Sequence, residues 1–217
     1  NYTRFHFRET LERIVSNAEK ILFLSAGDGS KEYYFANRYP DKDIAIADIC
    51  DDMLRVIQRH AANPNLGIFV TDNLSVHTLQ EQFDVVVALG CEYFYDDSKF
   101  VSMLESIYSA VKPGGMLALA SFCVDREMTR GDVRSRLQFL ARKAVSYFPL
   151  LAVLTNLVIK RRLVKFAGFT RELSDFDALF WKSPFYLKRI EFEGGADQYG
   201  QPAVLFELLK LVHPDSV

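Results

Sequence analysis

The chain has 217 residues, 49% apolar and 25% charged, which is ordinary for a soluble globular protein and long enough to bury a core without staples. Cys50, Cys91 and Cys123 are odd in number, far apart and form no CxxC pair, so neither a zinc site nor a disulfide framework is expected; buried or half-buried thiols in a reducing cytoplasm fit best. No run of about 18 apolar residues occurs and the opening "NYTRFHFRETLER" has no apolar signal core, which excludes a membrane span and a secretion signal from the expectations.

In chain order, "RETLERIVSNA" predicts a first helix and "KILFLS" (20–25) a first strand. "SKEYYFANRY" reads as a helix stopped by Pro40, and "DIAIAD" (43–48) as a second strand. The helix "DDMLRVIQRHAA" opens on Asp51 and Asp52, which suits its dipole. Strands follow at "LGIFVTD" (66–72) and "FDVVVALG" (83–90). A helix comes next, with Phe100, Val101, Leu104, Ile107 and Tyr108 on one face; "PGG" breaks the chain, and "MLALASF" (116–122) is a fifth strand. These strands are apolar almost throughout rather than alternating, as a parallel sheet covered on both faces requires. The expectation is therefore an α/β doubly wound fold. Near the end, "FYLKRIEFE" (185–193) and "AVLFELLKLV" (203–212), joined by the turn-rich "GGADQYGQP", predict an antiparallel hairpin.

Between them the rhythm changes. The expected organisation is an α/β core at 1–124, a mainly helical insert at 125–182 and the terminal hairpin at 183–217, all in one domain. From Arg126 to Lys165 there are ten basic residues against two acidic ones, while the rest of the chain has 16 basic against 26 acidic. The insert also contains "AVSYFPLLAVLTNLVI" (144–159), in which 12 of 16 residues are apolar. Three readings stay open for it. The default is a helical lid with core faces and a solvated basic face. The second is a lid for an anionic acceptor. The third is a segment, 144–165, lying peripherally on an anionic membrane; because its basic and apolar blocks are successive rather than opposed, the third is the weakest.

Ligands of open α/β sheets bind beyond the carboxyl ends of the strands, so the strand ends nominate the site. Strand one ends in Ser25-Ala26-Gly27-Asp28-Gly29, where glycines permit close backbone approach. Strand two ends in Asp48, 21 residues after Gly27, where a carboxylate can accept both hydroxyls of a ribose. Strand three ends in Thr71-Asp72-Asn73 and strand four in Leu89-Gly90-Cys91-Glu92. A glycine pair can be only a tight turn, and a lone Asp only a helix cap; four mutually consistent ends argue for a nucleoside site.

These residues resemble the class I S-adenosylmethionine-dependent methyltransferases, from Ile21 to Phe122. "FLSAGDGS" looks like the family's first glycine motif, "IAIADIC" the second, "VTDNL" the third, "FDVVVALGCEYF" the fourth strand and "VKPGGMLALAS" the segment before the fifth. The resemblance implies a Rossmann-like, mostly parallel seven-stranded sheet with an antiparallel terminal hairpin. It implies S-adenosylmethionine as cofactor and S-adenosylhomocysteine as product, with Asp48 on the ribose and Asp72 near adenine. The cofactor residues it nominates are Ser25, Ala26, Gly27, Asp28, Gly29, Asp48, Ile49, Met53, Thr71, Asp72, Asn73, Leu89 and Gly90. Two positions depart from the family: Ser25 stands where an acid usually supports the donor's amino end, and Lys31 where a third glycine is frequent. An NAD-binding protein would want a glycine at Glu32; a carboxylate there repels a pyrophosphate, whereas a sulfonium tolerates it.

For the reaction, Glu92 is the nominated base and Tyr93 a second catalytic candidate; Tyr95, Asp96 and Asp97 also follow strand four, while His77 lies on the loop after strand three and His6 precedes the first helix. Asp96 and Asp97 read more readily as helix caps, Tyr93 and Phe94 as pocket wall, and His77 as a surface residue. No metal cluster stands out. "GCEYFY" lacks the proline motif common among methyltransferases of exocyclic amines, which favours a hydroxyl of a metabolite, sugar or natural-product intermediate. A nucleoside-binding module without transfer, or a lipid-linked acceptor, are the alternatives. The partner expected is a small-molecule acceptor, an anionic one suiting the basic insert; nucleic acid is not expected at a pI of about 6.1, and a homo-oligomer stays open.

Overall fold

A computed structural model describes residues 6–27, 29–61, 63, 66–122, 144, 169, 171–196 and 202–212. Asp28, Cys123 and nearly all of the expected insert as far as residue 168 lie outside the described residues, including the segment 144–165 apart from Ala144.

Helices α1 (Arg8–Ser16), α2 (Ser30–Arg38), α3 (Asp51–His60), α4 (Asp97–Ala110) and α5 (Leu173–Phe180) alternate with strands β1 (Lys20–Leu24), β2 (Asp43–Asp48), β3 (Gly67–Val70), β4 (Phe83–Leu89) and β5 (Val111–Phe122) before β6 (Tyr186–Ala196) and β7 (Pro202–Leu209). The seven strands form one sheet in the order β3-β2-β1-β4-β5-β7-β6. The first five are parallel, and β7 inserts antiparallel between β5 and β6. This is the expected doubly wound, mostly parallel sheet with its terminal hairpin.

Period-two alternation sorts each buried strand onto two apolar layers. Ile21, Phe23, Ile44, Ile46, Val85 and Val87 face α1, α2 and α3 through Leu11, Phe35, Leu54 and Ile57. Leu22, Leu24, Ala45, Ala47, Val86 and Ala88 share the opposite core with Phe100, Met103, Leu104 and Ile107 of α4 and with Phe176 and Phe180 of α5. Both faces are covered, which is why the strands read as continuous apolar runs. Phe176 and Phe180 seat α5 on the hairpin, with ring centroids 5.0 and 4.9 Å from Phe206.

Several expectations need correction. β3 spans only Gly67–Val70, because Thr71, Asp72 and Asn73 leave the ladder to form the site. "PGG" does not separate helix from strand: β5 already begins at Val111. Gly114 adopts φ +79° there, and a Cβ on Gly115 would stand 2.7 Å from the backbone oxygen of Asp84 and 3.0 Å from that of Lys112. Because backbone cannot yield as a side chain can, Gly115→Ala is expected to cost about 1–3 kcal/mol, read as a lower urea midpoint with the slope unchanged. Cys50 is exposed rather than buried and precedes α3, while Cys91 is buried and its thiol pushed up to about 12 by desolvation. Among the described residues no helix is long and apolar enough to cross a membrane.

Candidate active site

The site forms where the sheet order turns, with β1 flanked by β2 on one side and β4 on the other. Three strand ends are tied together there by hydrogen bonds. The Ser25 amide donates to Ala47 O at 2.9 Å and the Thr71 amide to Asp48 O at 3.1 Å. Ser25 lies in the left-handed region at φ +57°, unusual for a residue with a Cβ, and its Oγ accepts from Asn73 Nδ2 at 2.9 Å. Asn73, 6% exposed, therefore braces the first turn from behind. Serine supplies a short hydroxyl that fits this brace.

Asp48 is half-buried and held on two sides: Oδ2 accepts from the Gly27 amide at 3.4 Å and Oδ1 from the Cys50 amide at 2.9 Å. Beside it Ile49 is 74% exposed, so a fixed carboxylate adjoins bare apolar surface. Gly27 and Gly29 both have positive φ, +58° and +72°. A Cβ on Gly27 would meet only Ser25 O, at 3.9 Å, whereas one on Gly29 would stand 2.5 Å from the Ile57 side chain of α3. Gly27 thus keeps a face open, and Gly29 lets α2 and α3 close. Ala26 is buried beneath the turn and Met53 is half-buried against the same core. Asp72 is exposed, and its carboxylate caps the Leu74 amide at 2.8 Å. Buried Glu32 (2% exposed) lies in the first turn of α2.

Beyond β4 and β5 a pocket of about 190 Å³ is lined by His6, Phe7, Lys31, Leu89, Gly90, Ala120, Ser121 and Ala203. Gly90 has φ +68° and open space where a Cβ would be, and its amide donates to Ala120 O at 2.8 Å. Glu92 is 3% exposed and stands behind this wall: the Ser121 hydroxyl donates to its Oε1, and its buried Oε2 has no hydrogen-bond partner among the described residues. Burial pushes the Glu92 carboxyl upward, opposed in part by the Ser121 hydrogen bond. Ser121, not Glu92, therefore meets the pocket.

The loop after β4 is clamped by Arg171, 1% exposed. Its guanidinium donates to Glu92 O at 3.2 Å, Tyr95 O at 2.7 Å and Asp97 Oδ1 at 3.0 Å, and lies 4.8 Å from the Phe100 ring. Next to it the Phe169 amide donates to Tyr93 O at 2.6 Å. Asp96 caps α4 by accepting from the Lys99 amide at 2.9 Å, as expected. Asp97 pairs with Arg171 instead. Phe94 is 63% exposed and neither it nor Tyr93 lines the pocket described. His77 is exposed with Nδ1 3.0 Å from Ser106 Oγ, a surface residue as its loop position suggests. Among the described residues no group of three or more His, Cys, Asp or Glu is placed to hold a metal ion.

Residues 21–115 match the family model described as a methyltransferase domain. This stretch of the chain is similar to a methyltransferase domain. The match runs from β1 through the β4 loop to Gly115, so it includes the ends of β1 to β4 and stops short of Ala120 and Ser121 at the end of β5. Over 123 residues the chain is 20% identical to malonyl-(acyl-carrier protein) O-methyltransferase 2 of Ilyobacter polytropus, covering 55% of this chain and 47% of that protein. The chain thus spans about half the length of this curated relative. An N-methyltransferase of Bradyrhizobium japonicum, solved with S-adenosyl-L-homocysteine, superposes with a TM-score of 0.62 at 15% identity, over 93% of this chain and 84% of that one. Magnesium protoporphyrin IX methyltransferase of Synechocystis, also solved with S-adenosylhomocysteine, gives 0.60 at 14% identity, over 93% and 82%. At these identities the structural likeness is one of fold. The methyltransferase family uses S-adenosylmethionine as its methyl donor, and the residues present fit that group: a braced carboxylate for a ribose, exposed Ile49 for an adenine face, and an open backbone at Gly27 and Gly90.

Three contributors escaped the sequence reading. Ser121 was within reach, because the strand-end rule applied to β5 nominates it. Lys31 stood out as a missing glycine but not as a pocket residue. Arg171 carries no local signal, since a lone arginine after a basic segment reads as solvated.

Proposed function

We propose that this chain transfers a methyl group from S-adenosylmethionine to a hydroxyl of a small-molecule acceptor, with Glu92 as base acting through Ser121. The observation that carries this reading is the buried Ser121–Glu92 pair at the wall of the pocket. When bound, S-adenosylmethionine supplies an electrophilic methyl carbon on a sulfonium. Asp48 holds the ribose hydroxyls, while the Gly27 and Gly90 backbone allows close approach. Leu89, Ala120, Phe7 and Ala203 exclude water from the acceptor. The bound donor would supply the methyl group with its sulfur as the leaving group, the C–S electron pair staying with S-adenosylhomocysteine; the acceptor's proton would pass to Ser121 Oγ and the serine proton to Glu92 Oε1. A carboxylate raised by desolvation is a better base than an exposed one.

Turnover of methyl-labelled S-adenosylmethionine against hydroxylated metabolites separates this enzyme from a binding module of the same fold. On the acceptor so found, Glu92→Gln is expected to lower kcat about 100-fold while S-adenosylhomocysteine affinity holds. The wild-type rate should rise with pH through a carboxyl raised above its ordinary 4.5, and that limb should vanish in the variant; a limb that persists sinks the base assignment. Stability has the opposite sign. The native state keeps its proton on Glu92 after the unfolded chain has lost it, so the contribution is full below pH 4.5 and is lost as pH rises through the raised native value. Glu92→Gln should flatten that decline.

A further inference from the structure

Within the pocket the wall is apolar at Phe7, Leu89, Ala120 and Ala203, yet two basic residues also line it, His6 and Lys31. His6 already has an anion: its Nδ1 lies 3.2 Å from Glu193 Oε2, which also accepts the Phe7 amide. Lys31 has none. It is half-buried in the first turn of α2 and makes no hydrogen bond or ion pair among the described residues. The residues three and four positions on are Tyr34 and Phe35, which cannot neutralise it along the helix. An ammonium drawn into an apolar wall without a counter-ion is costly unless a ligand supplies one.

We infer that Lys31 is a carboxylate-recognition residue of this pocket. The inference rests on the reading of the pocket as the place where donor and acceptor meet. A single ammonium balances the single charge of a carboxylate and forms charge-assisted hydrogen bonds with it. Two carboxylates can reach it, that of the donor's methionine end or one carried by the acceptor. The donor's is favoured by position, two residues after Gly29 and beside Gly90 in the lining. Ser25, spent on bracing Asn73, has no charge for the amino-acid end, so charge recognition there passes to the carboxylate and away from the ammonium.

Calorimetry with S-adenosylhomocysteine and with 5′-methylthioadenosine, which lacks the amino-acid end, decides the matter. If the donor's carboxylate is the ligand, Lys31→Met weakens S-adenosylhomocysteine about tenfold and leaves methylthioadenosine unchanged, while Lys31→Arg restores the affinity. If the acceptor's is, S-adenosylhomocysteine is unaffected and benzoate, titrated by NMR into the S-adenosylhomocysteine-saturated protein, weakens by a similar factor. Unchanged S-adenosylhomocysteine together with no Lys31-dependent benzoate binding overturns the inference. A wild-type protein that binds neither adenosine compound overturns the donor reading first, and the inference with it. Melting temperatures within experimental error of wild type show that each variant is folded.

Discussion

Asp48→Ala is expected to weaken S-adenosylhomocysteine binding about 100-fold, the loss of two charge-assisted hydrogen bonds, measured by calorimetry. The side chain has two tasks. It accepts the Gly27 and Cys50 amides, which sets the turn, and in the proposed complex it accepts the ribose hydroxyls. Asp48→Asn separates the tasks, because an amide oxygen still accepts from Cys50 while charge is lost from the ribose side. It should fall between wild type and alanine. Thermal stability should drop only slightly in either variant, since the carboxylate is half-buried and the freed amides lie near solvent. Affinity unchanged in Asp48→Ala would remove this residue from the site and, with it, the assignment of β2 as the ribose strand.

Arg171→Ala has the largest expected effect on stability, about 3 kcal/mol, seen as a lower urea midpoint. The substitution strips the carbonyls of Glu92 and Tyr95 of their donor, removes the Asp97 ion pair and leaves a void against Phe100. Arg171→Lys should recover part of this at most, because one ammonium cannot span acceptors that the planar fork reaches together. The consequence for the site is direct. The clamped segment carries Glu92, so loosening it should also blur the placement of the carboxylate behind Ser121. A stability equal to wild type would show that the loop after β4 holds its shape without the clamp.

Much of this could be read from the residues themselves. Continuous apolar runs at 20–25, 43–48 and 83–90 point to a covered parallel sheet because period-two alternation disappears only when both faces are buried. Gly27, Asp48, Asn73 and Gly90 follow from a topological rule, that the carboxyl ends of parallel strands share one edge. Boundaries were less legible. β3 stops early because its last residues turn their side chains and amides to the site, and β5 starts early because Gly114 and Gly115 let the chain continue pairing through an apparent break. Cys50 illustrates the same limit, since an apolar neighbourhood in sequence does not say which side of a strand end faces water.

Local patterning by itself determined the class of the fold, the order of its elements and the place of Asp48 at the end of β2, all properties carried by neighbours within a few residues. Tertiary structure alone decided how charge is used. Glu92 and Ser121 are 29 residues apart and form one buried pair. Arg171 reaches back 79 residues to Glu92 O. Lys31 lines a pocket whose wall comes from the two residues before α1 and from the ends of β4, β5 and β7. Whether a charged side chain is solvated, paired or waiting for a ligand depends on what the fold places opposite it, and no spacing along the chain encodes that.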